Sequence, residues 1–298
     1  MSVHDVVGAN ETEIDGIDGD VDHGLTRDGI VQLRRRWRAR TDGTEPLAAM
    51  LLLHGIGEHS GRYAKVASRL AAAGIDVVAI DNRGFGGSGG RRAYVRSFDE
   101  FVDDAADQLA ELRALGAPTV LFGHSMGGLI ALLVVLEHRQ PSPDLLVLSA
   151  PALGAQIPSA LRRVAPVVAK LAPTLPVPSP INTALLSSDP TVGSAFRADK
   201  RNVHVVTPAL GSELLRAAEW ANAHVDELDV PTLVLHGSDD HIVPLEATAC
   251  LEELPCVERR VLDGLRHEPH HEPSYRSWVQ DVVAWVRRSL HGTTGHPM

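Results

Sequence analysis

The sequence predicts an α/β protein, with a mostly parallel, doubly wound sheet that carries an inserted helical cap. Short apolar runs alternate with helical stretches along most of the 298 residues, and this alternation is typical of parallel sheets covered by helices on both faces. It stops between residues 151 and 229, a segment far too long for a simple crossover. We therefore expect residues 21–150 and 230–291 to form the core and residues 151–229 to form the cap.

Apolar runs predict strands near residues 49–53, 76–81, 118–122, 144–149 and 231–236, and a sixth strand is expected near residues 257–262. The stretches between and after them predict helices near residues 62–73, 98–115, 126–138, 245–253 and 274–290. Ahead of the first run, Val31, Leu33 and Trp37 alternate with charged positions. This pattern predicts an antiparallel strand, paired through the Asp28-Gly29 turn with the segment before it. The strand explains the basic run at residues 34–38 better than a binding patch does.

Composition and charge argue against several kinds of partner. The formal net charge of -10 disfavours nucleic acid, because binding phosphates requires clustered basic residues. The two cysteines, Cys250 and Cys256, make neither a disulfide framework nor a metal site, and we expect both to be free and buried. Residues 1–20 are acidic and lack periodicity, which predicts a mobile tail and no signal peptide. Since no run of about 18 apolar residues occurs, we expect a cytoplasmic protein.

The most specific chemical signal is the segment Gly123–Gly128, which reads GHSMGG between two apolar runs. A serine flanked by glycines in this way, after a strand and before a helix, is the sequence form of a nucleophile elbow. Small residues at positions 123 and 127 let the neighbouring backbones pass closely while Ser125 takes a strained conformation. The motif predicts acyl transfer, so an acid and a histidine should follow it, with an oxyanion-binding loop upstream.

The candidate oxyanion loop is the glycine-rich turn His54–Glu58, which reads HGIGE directly after the first buried strand. Its backbone N–H groups can point into a site, and we assign the two oxyanion donors to the amides of Ile56 and Met126. Such donors stabilise negative charge that develops only in the transition state. His54 itself is expected to be structural.

Two adjacent aspartates compete for the role of the acid, in the loop after the strand near residues 231–236. Asp240 is favoured, because it stands three residues after Gly237 and precedes an apolar pair and a proline. Asp239 is interpreted as a solvated turn residue.

Three histidines stand in the loop after the strand near residues 257–262. His267 lies at the right distance past the strand and its glycine. His270 and His271 lie where the next helix begins, as surface or substrate-contact residues. Position favours His267 as the base, although proton chemistry alone leaves His270 open. The base takes the serine proton and returns it to the leaving alcohol, while the acid fixes the imidazole tautomer.

These motifs resemble those of the monoacylglycerol lipase and lysophospholipase-like group of serine α/β-hydrolases. The continuation E-H-S-G-R-Y at residues 58–63 is the discriminating stretch, because many hydrolases share H-G and G-x-S-x-G. The matching segments follow family order, at residues 54–63, 81–88, 123–128, 188–190, 237–244 and 264–267. The resemblance implies the α/β-hydrolase fold, with Ser125 as nucleophile, Asp240 as acid and His267 as base.

The same resemblance implies a binding site for the glycerol end of a substrate, near Glu58, Arg62 and His270. The alternative is that Glu58 and Arg62 form a local ion pair that anchors their loop. The chemistry requires no cofactor and no metal.

We therefore expect a serine esterase that cleaves a monoacylglycerol, a small lipid ester, through a covalent acyl-enzyme. A lysophospholipase or a broader carboxylesterase is the alternative within the same fold. Epoxide or haloalkane hydrolysis is disfavoured, since those reactions use an aspartate at the elbow. Use of the same triad as an acyltransferase, and a non-catalytic ligand sensor, are further alternatives. The oligomeric state is not written in these motifs.

The cap is expected to begin with an apolar helix over Ala155–Leu171, in which Val164 and Val168 belong to a helical repeat of apolar residues. Two interpretations have equal weight. The apolar face either forms a lid that accepts lipid and transiently touches a membrane surface, or it packs on the core.

Overall fold

The computed structural model describes residues 17–41, 43–154 and 167–292. The described residues form ten strands: β1 (Asp20–Leu25), β2 (Val31–Trp37), β3 (Ala48–Leu53), β4 (Ile75–Ile80), β5 (Thr119–His124), β6 (Leu145–Ser149), β7 (Val177–Pro178), β8 (Val205–Val206), β9 (Thr232–Gly237) and β10 (Val257–Leu262). Eight of them build one sheet in the order β1-β2-β4-β3-β5-β6-β9-β10, and β7 pairs with β8 separately.

The sheet is parallel from β4 to β10, while β1 and β2 are antiparallel additions at one edge. The turn at Asp28 and Gly29 joins β1 to β2, as predicted, and places Asp20 opposite Arg36. Strand β5 lies between β3 and β6. Its carboxyl end is therefore surrounded by the loops that follow its neighbours, which is where ligands bind in such sheets.

Six helices in the described residues carry labels here: α1 (Ala64–Ala72), α2 (Asp99–Arg113), α3 (Met126–Leu136), α4 (Pro190–Ala198), α5 (Pro208–His224) and α6 (Tyr275–Gly292). Helices α1 and α6 pack on one face of the sheet, and α2 and α3 pack on the other. Every residue of α3 is buried, because α2 and α5 also contact it. This explains why its sequence is apolar all round rather than amphipathic.

The predicted doubly wound fold is confirmed, and the six predicted strands coincide with β3–β6, β9 and β10 to within two residues. Parallel strands buried on both faces read as continuous apolar runs, which makes them easy to locate. One predicted helix was wrong in type. Residues Leu245–Leu251 form a 3-10 helix with bonds such as Ala247 N–H to Pro244 O, and the Thr248 hydroxyl within it is held by His236.

Between β6 and β9 the chain forms the β7-β8 pair and helices α4 and α5. Most of the predicted helix over residues 155–171, including Val164, lies outside the described residues. Residues 167–171 are helical, and Leu171 is 80% exposed.

The expectation for the cysteines was half right. Both are free, but Cys250 is exposed and Cys256 is only half-buried. Cys250 belongs to the 3-10 segment that replaces the predicted helix, so the side chain that was expected to face the core lies at the surface. Among the described helices, none combines the length and apolarity needed to span a bilayer. Of the predicted tail over residues 1–20, residues 1–16 lie outside the described residues, and the strand β1 begins at Asp20.

Candidate active site

Ser125 stands at the sharp junction between β5 and α3, with backbone angles of φ 52° and ψ -116°. A non-glycine residue at positive φ is strained, and such strain persists only where the surroundings impose it. Here the surroundings are two close backbone approaches. A Cβ at Gly123 would lie 2.1 Å from the Gly127 carbonyl oxygen, and one at Gly127 would lie 2.2 Å from that of Leu53. The glycines of the motif are therefore required by packing.

Hydrogen bonds join the three residues that were predicted to react together, Ser125, His267 and Asp240. Ser125 Oγ lies 3.0 Å from His267 Nε2, and His267 Nδ1 lies 2.7 Å from Asp240 Oδ2. All three side chains are buried. Because the Nδ1 proton faces a carboxylate, Nε2 is left without a proton and can accept one from the serine hydroxyl.

Asp240 is fixed by more partners than the sequence revealed. Its Oδ1 accepts the backbone N–H groups of Ile242 and Val243, and its Oδ2 lies 3.2 Å from Nε2 of the buried His236. Burial by itself raises the pKa of Asp240. Hydrogen bonds from His236 and His267 outweigh burial and hold that pKa well below its ordinary value. The carboxylate therefore stays ionised beside the imidazole.

The neighbouring Asp239 has the character of a solvated turn residue. Its side chain is 46% exposed and pairs with His241 and Arg266 at the surface. In the part of the chain that the structure describes, the Asp239 side chain bonds to neither Ser125 nor His267.

The turn at residues 54–58 lies against the elbow, as expected of an oxyanion loop. Met126 is the first residue of α3, so its N–H has no acceptor within the helix. The Ile56 N–H takes part in none of the hydrogen bonds found in the described residues. His54 is structural, since its buried ring accepts the Asn82 N–H at Nε2.

Glu58 and Arg62 form the local ion pair that was the alternative to substrate contact. Glu58 Oε1 accepts the Gly55 N–H and the Tyr63 hydroxyl, both at 2.7 Å, and Oε2 accepts Arg62 Nε at 2.8 Å. Arg62 also donates to Glu268 Oε2 at 2.5 Å. The guanidinium thus links the turn at residues 54–58 to the residue that follows His267.

Glu58, Arg62 and Glu268 are called here the bridge. The pKa values of its two carboxylates are shifted in opposite directions. Burial raises the pKa of both groups, and Arg62 opposes that effect. For Glu58 the charge of Arg62 prevails and the pKa is lowered. For Glu268 burial prevails and raises the pKa to about 7. One buried cation does not fully compensate two buried carboxylates.

His270 is buried rather than at the surface. Its ring stacks on Tyr63 with centroids 4.5 Å apart and meets the His124 ring edge-on at 4.7 Å. Neither ring nitrogen of His270 has a hydrogen-bond partner among the described residues. Burial and the neighbouring imidazole of His271 hold the pKa of His270 well below its ordinary value, so the ring is neutral.

Comparison with known proteins agrees with this geometry. A family model described as serine aminopeptidase, S33, matches residues 44–274. The monoacylglycerol lipase of Mycolicibacterium smegmatis is 35% identical over 268 residues, which cover 87% of this chain and 94% of that protein. The chain is a serine α/β-hydrolase of the monoacylglycerol lipase family.

Two further relatives bear on its chemistry. The hydrolase is 31% identical to phospholipase YtpA of Bacillus subtilis over 245 residues, covering 80% of this chain and 93% of the phospholipase. The crystal structure of a monoacylglycerol lipase from Paleococcus ferrophilus matches with a TM-score of 0.77 and 28% identity, covering 86% of this chain and 98% of that chain. These matches identify the protein as a carboxylic ester hydrolase.

A cavity of about 570 Å³ opens beside Ile56 and Gly57 of the hydrolase. Its remaining walls come from the segment between β6 and β9, and the polar side chains among them are Ser179, Asn182, Thr183, Arg197 and His204. Among the lining residues that the structure describes, none carries a carboxylate. The protein as a whole has a formal net charge of -10, whereas the described lining of the cavity is positive through Arg197.

Two groups of buried or half-buried side chains among the described residues have donor atoms suited to a metal, Glu58 with His124 and His270, and Glu268 with His270 and His271. Both carboxylates already accept hydrogen bonds from Arg62. A cation would therefore have to displace a buried guanidinium. The donor sets fit a metal less well than they fit the arginine that they hold.

Sequence reasoning missed Glu268 and His236, which contact the predicted site residues directly. His236 ends the apolar run of β9, where a buried histidine is indistinguishable from a core residue. The signal for Glu268 is its place next to His267, since an acid beside a buried base needs a cation nearby. That cation, Arg62, lies 206 positions away in the sequence.

Proposed function

We propose that the hydrolase cleaves monoacylglycerols to glycerol and fatty acid, with Ser125 as nucleophile, His267 as general base and Asp240 as the acid that orients it. Ser125 Oγ attacks the ester carbonyl as its proton passes to His267 Nε2. The imidazolium then protonates the leaving glycerol oxygen, which yields the acyl-enzyme and free glycerol. Water, deprotonated by the same imidazole, releases the fatty acid and regenerates Ser125.

In both tetrahedral intermediates the carbonyl oxygen becomes an oxyanion. We assign its two donors to the N–H groups of Ile56 and Met126. Loss of one such donor typically lowers kcat by about 100- to 1,000-fold. The turn that carries Ile56 is held by Glu58, whose carboxylate accepts the Gly55 N–H.

The observation that carries the proposal is the hydrogen-bonded line from Ser125 through His267 to Asp240, at a strained strand-to-helix turn. The choice of monoacylglycerol is supported by the 35% identity to a monoacylglycerol lipase over most of both chains. Of the three residues assigned to the glycerol end, Glu58 and Arg62 bond to each other, and Arg62 also bonds to Glu268. His270 is buried, and neither of its ring nitrogens has a hydrogen-bond partner among the described residues.

The test is fatty-acid release by the wild type and Ser125→Ala from 1-monooleoylglycerol, lysophosphatidylcholine, trioleoylglycerol and p-nitrophenyl butyrate. We expect the highest kcat/KM on the monoacylglycerol, and a loss on the order of 10⁴-fold or more in the variant. Release that persists in Ser125→Ala would contradict the mechanism. A preference for lysophosphatidylcholine would keep the mechanism and change the substrate.

A second candidate substrate is a lysophospholipid with an anionic headgroup. It is favoured by the cavity beside Ile56, where Arg197 has no carboxylate partner among the described residues and donates instead to the Thr183 hydroxyl. Arg197→Gln should then lower kcat/KM for acylglycerol phosphate about tenfold while changing that for monoacylglycerol less than twofold. Arg216→Gln, on α5, removes an arginine that is paired with Glu213 and serves as the control. Equal effects of Arg197→Gln on both lipids would exclude this candidate.

We also propose that the cap touches a lipid surface through its exposed apolar residues Val167, Val168, Leu171 and Leu175. Exposed apolar side chains in one short segment are typical of interfacial contacts. Sedimentation with phosphatidylcholine vesicles measures the contact. Replacing Val167 and Leu171 with serine should reduce the bound fraction, and an unchanged fraction would contradict the contact.

A further inference from the structure

The loop that carries His267 is attached to the cap as well as to the core. The loop comprises residues 263–272 and is called here the histidine loop. Its first part is held by the core, since Ser238 Oγ accepts the Gly264 N–H and Leu265 O accepts the Asp239 N–H. From Arg266 onward the side chains of His267 and Glu268 still contact the core, at Ser125, Asp240 and Arg62. The other hydrogen bonds described below lie within the loop or join it to residues 184–188 of the segment between β6 and β9, called here the cap strap.

Glu272 is the centre of these contacts. Its carboxylate is buried and accepts the Arg266 N–H at 3.0 Å within its own loop. The same carboxylate accepts the Ser188 N–H at 3.0 Å and the Ser188 hydroxyl from the cap strap. Among the described residues no cation pairs with Glu272. Its oxygens are therefore satisfied by N–H and O–H donors alone, an arrangement that only an acceptor-only side chain can complete.

Further hydrogen bonds join the histidine loop to the cap strap. The Glu268 N–H donates to Leu186 O at 2.7 Å, and the Ser187 hydroxyl donates to His271 O at 3.2 Å. The guanidinium of Arg266 donates to the carbonyl oxygens of Ala184 and Ser187 in the cap strap. The backbone N–H groups immediately before and after His267 are thus held by Glu272 and by the strap.

We propose that Glu272 is a positioning residue that, with Ser188, sets the direction of the His267 imidazole toward Ser125. The proposal rests on the function proposed above, in which His267 is the base. It assigns the cap strap a place in the catalytic machinery, because the base is mounted partly on the cap. A rearrangement of the cap that moves the strap would therefore also move the base.

The geometry leaves little tolerance for such movement. His267 must keep 3.0 Å to Ser125 and 2.7 Å to Asp240 at once, and both bonds depend on the plane of one ring. Misplacing a catalytic group by about 1 Å can lower the rate about 100-fold. Releasing the N–H groups that flank His267 is expected to have an effect of this kind.

The test is Glu272→Gln, which preserves volume but replaces one acceptor oxygen with an NH₂ group that faces other donors. Two readouts separate positioning from stability. One is the second-order rate at which a fluorophosphonate labels Ser125, followed by intact mass. The other is kcat and KM for 1-monooleoylglycerol, measured well below the Tm of each variant. We expect the labelling rate and kcat to fall together by about 10- to 100-fold, with KM changed less than threefold.

Asp144→Asn is the matched control. Asp144 also accepts a backbone N–H and a hydroxyl, both from Thr119, but at the opposite end of β5 from Ser125. The control should lower Tm and leave the labelling rate within twofold of the wild type. Ser188→Ala is the milder second variant, which removes one hydroxyl donor and should slow labelling by about fivefold.

The outcomes separate this inference from the proposed function. If the wild type is labelled and hydrolyses lipid, while Glu272→Gln and Ser188→Ala are both labelled at the wild-type rate, the positioning role is overturned alone. The same holds if Glu272→Gln does not fold and Ser188→Ala is labelled at the wild-type rate. If the wild type is not labelled at Ser125, the proposed function fails and this inference fails with it.

Discussion

Two buried polar groups lie side by side near the carboxyl end of β5, and they differ in how their hydrogen bonds end. In the line of Ser125, His267 and Asp240, the serine hydroxyl donates to His267 Nε2, and His267 Nδ1 donates to the Asp240 carboxylate. In the bridge of Glu58, Arg62 and Glu268, one guanidinium donates to a carboxylate on each side. The line therefore ends at a serine hydroxyl, whereas the bridge ends at a carboxylate on both sides.

The difference shows why residue type alone does not identify a catalytic group. Both arrangements contain buried carboxylates that accept hydrogen bonds. Asp240 is stabilised as an anion by N–H donors and two imidazoles, so its charge is available to an imidazolium. Glu58 and Glu268 share one guanidinium, so their charges mainly hold loops in place. The bridge therefore connects the turn at residues 54–58 to the loop that carries His267.

The largest expected effect is on kcat and results from a change in the line of Ser125, His267 and Asp240. Asp240→Asn should lower kcat for p-nitrophenyl butyrate by about 10⁴-fold, because an amide favours the wrong imidazole tautomer. The adjacent Asp239→Asn is the control and should stay within twofold, since that side chain is at the surface. Steady-state kinetics measures both. A loss in Asp239→Asn as large as that in Asp240→Asn would remove the distinction between the two aspartates.

The next effect is on stability and concerns the bridge. Arg62→Leu leaves Glu58 and Glu268 buried without their cation, and breaking a buried pair in this way typically costs about 3–5 kcal/mol. Urea unfolding measures the free energy. Removing both carboxylates as well, in Glu58→Gln/Arg62→Leu/Glu268→Gln, should recover part of the loss. A single variant as stable as the wild type would show that the bridge does not hold the loops.

A smaller effect concerns the pH dependence of stability, which the bridge is expected to alter through Glu268. The pKa of Glu268 is raised from an ordinary 4.5 to about 7 by burial. A carboxyl with a raised folded pKa adds stability below its unfolded pKa, and this contribution is lost as pH rises through the folded pKa. From pH 5 to pH 8 the Tm of the wild type should therefore fall relative to that of Glu268→Gln. Glu219→Gln, at an exposed position of α5, should follow the wild type. Parallel Tm curves for the wild type and Glu268→Gln would contradict the raised pKa.

Sequence predicts this fold well because its strongest signals are local. Strands β3, β5 and β9 are buried along their whole length and read as apolar runs. The elbow is equally local, since the glycines at 123 and 127 are dictated by backbones that nearly touch. A residue pattern of this kind can be recognised in the sequence without knowledge of the tertiary structure.

The remainder of the site depends on contacts that are distant in sequence. Arg62 and Glu268 are 206 positions apart, and Ser188 and Glu272 are 84 apart. No periodicity links such pairs. The sequence therefore left open whether Glu58 and Arg62 bind substrate or each other, a choice that depends on where Glu268 lies.

The most direct test of the contrast uses two histidines of one loop. His267 belongs to the line and His270 to the neighbouring buried group, where its ring stacks on Tyr63. The measurement is the pre-steady-state rate of acyl-enzyme formation from p-nitrophenyl butyrate by His267→Gln and His270→Gln. We predict a loss on the order of 10⁴-fold for His267→Gln and less than about tenfold for His270→Gln. A larger loss in His270→Gln than in His267→Gln would contradict the assignment of the base and the mechanism built on it.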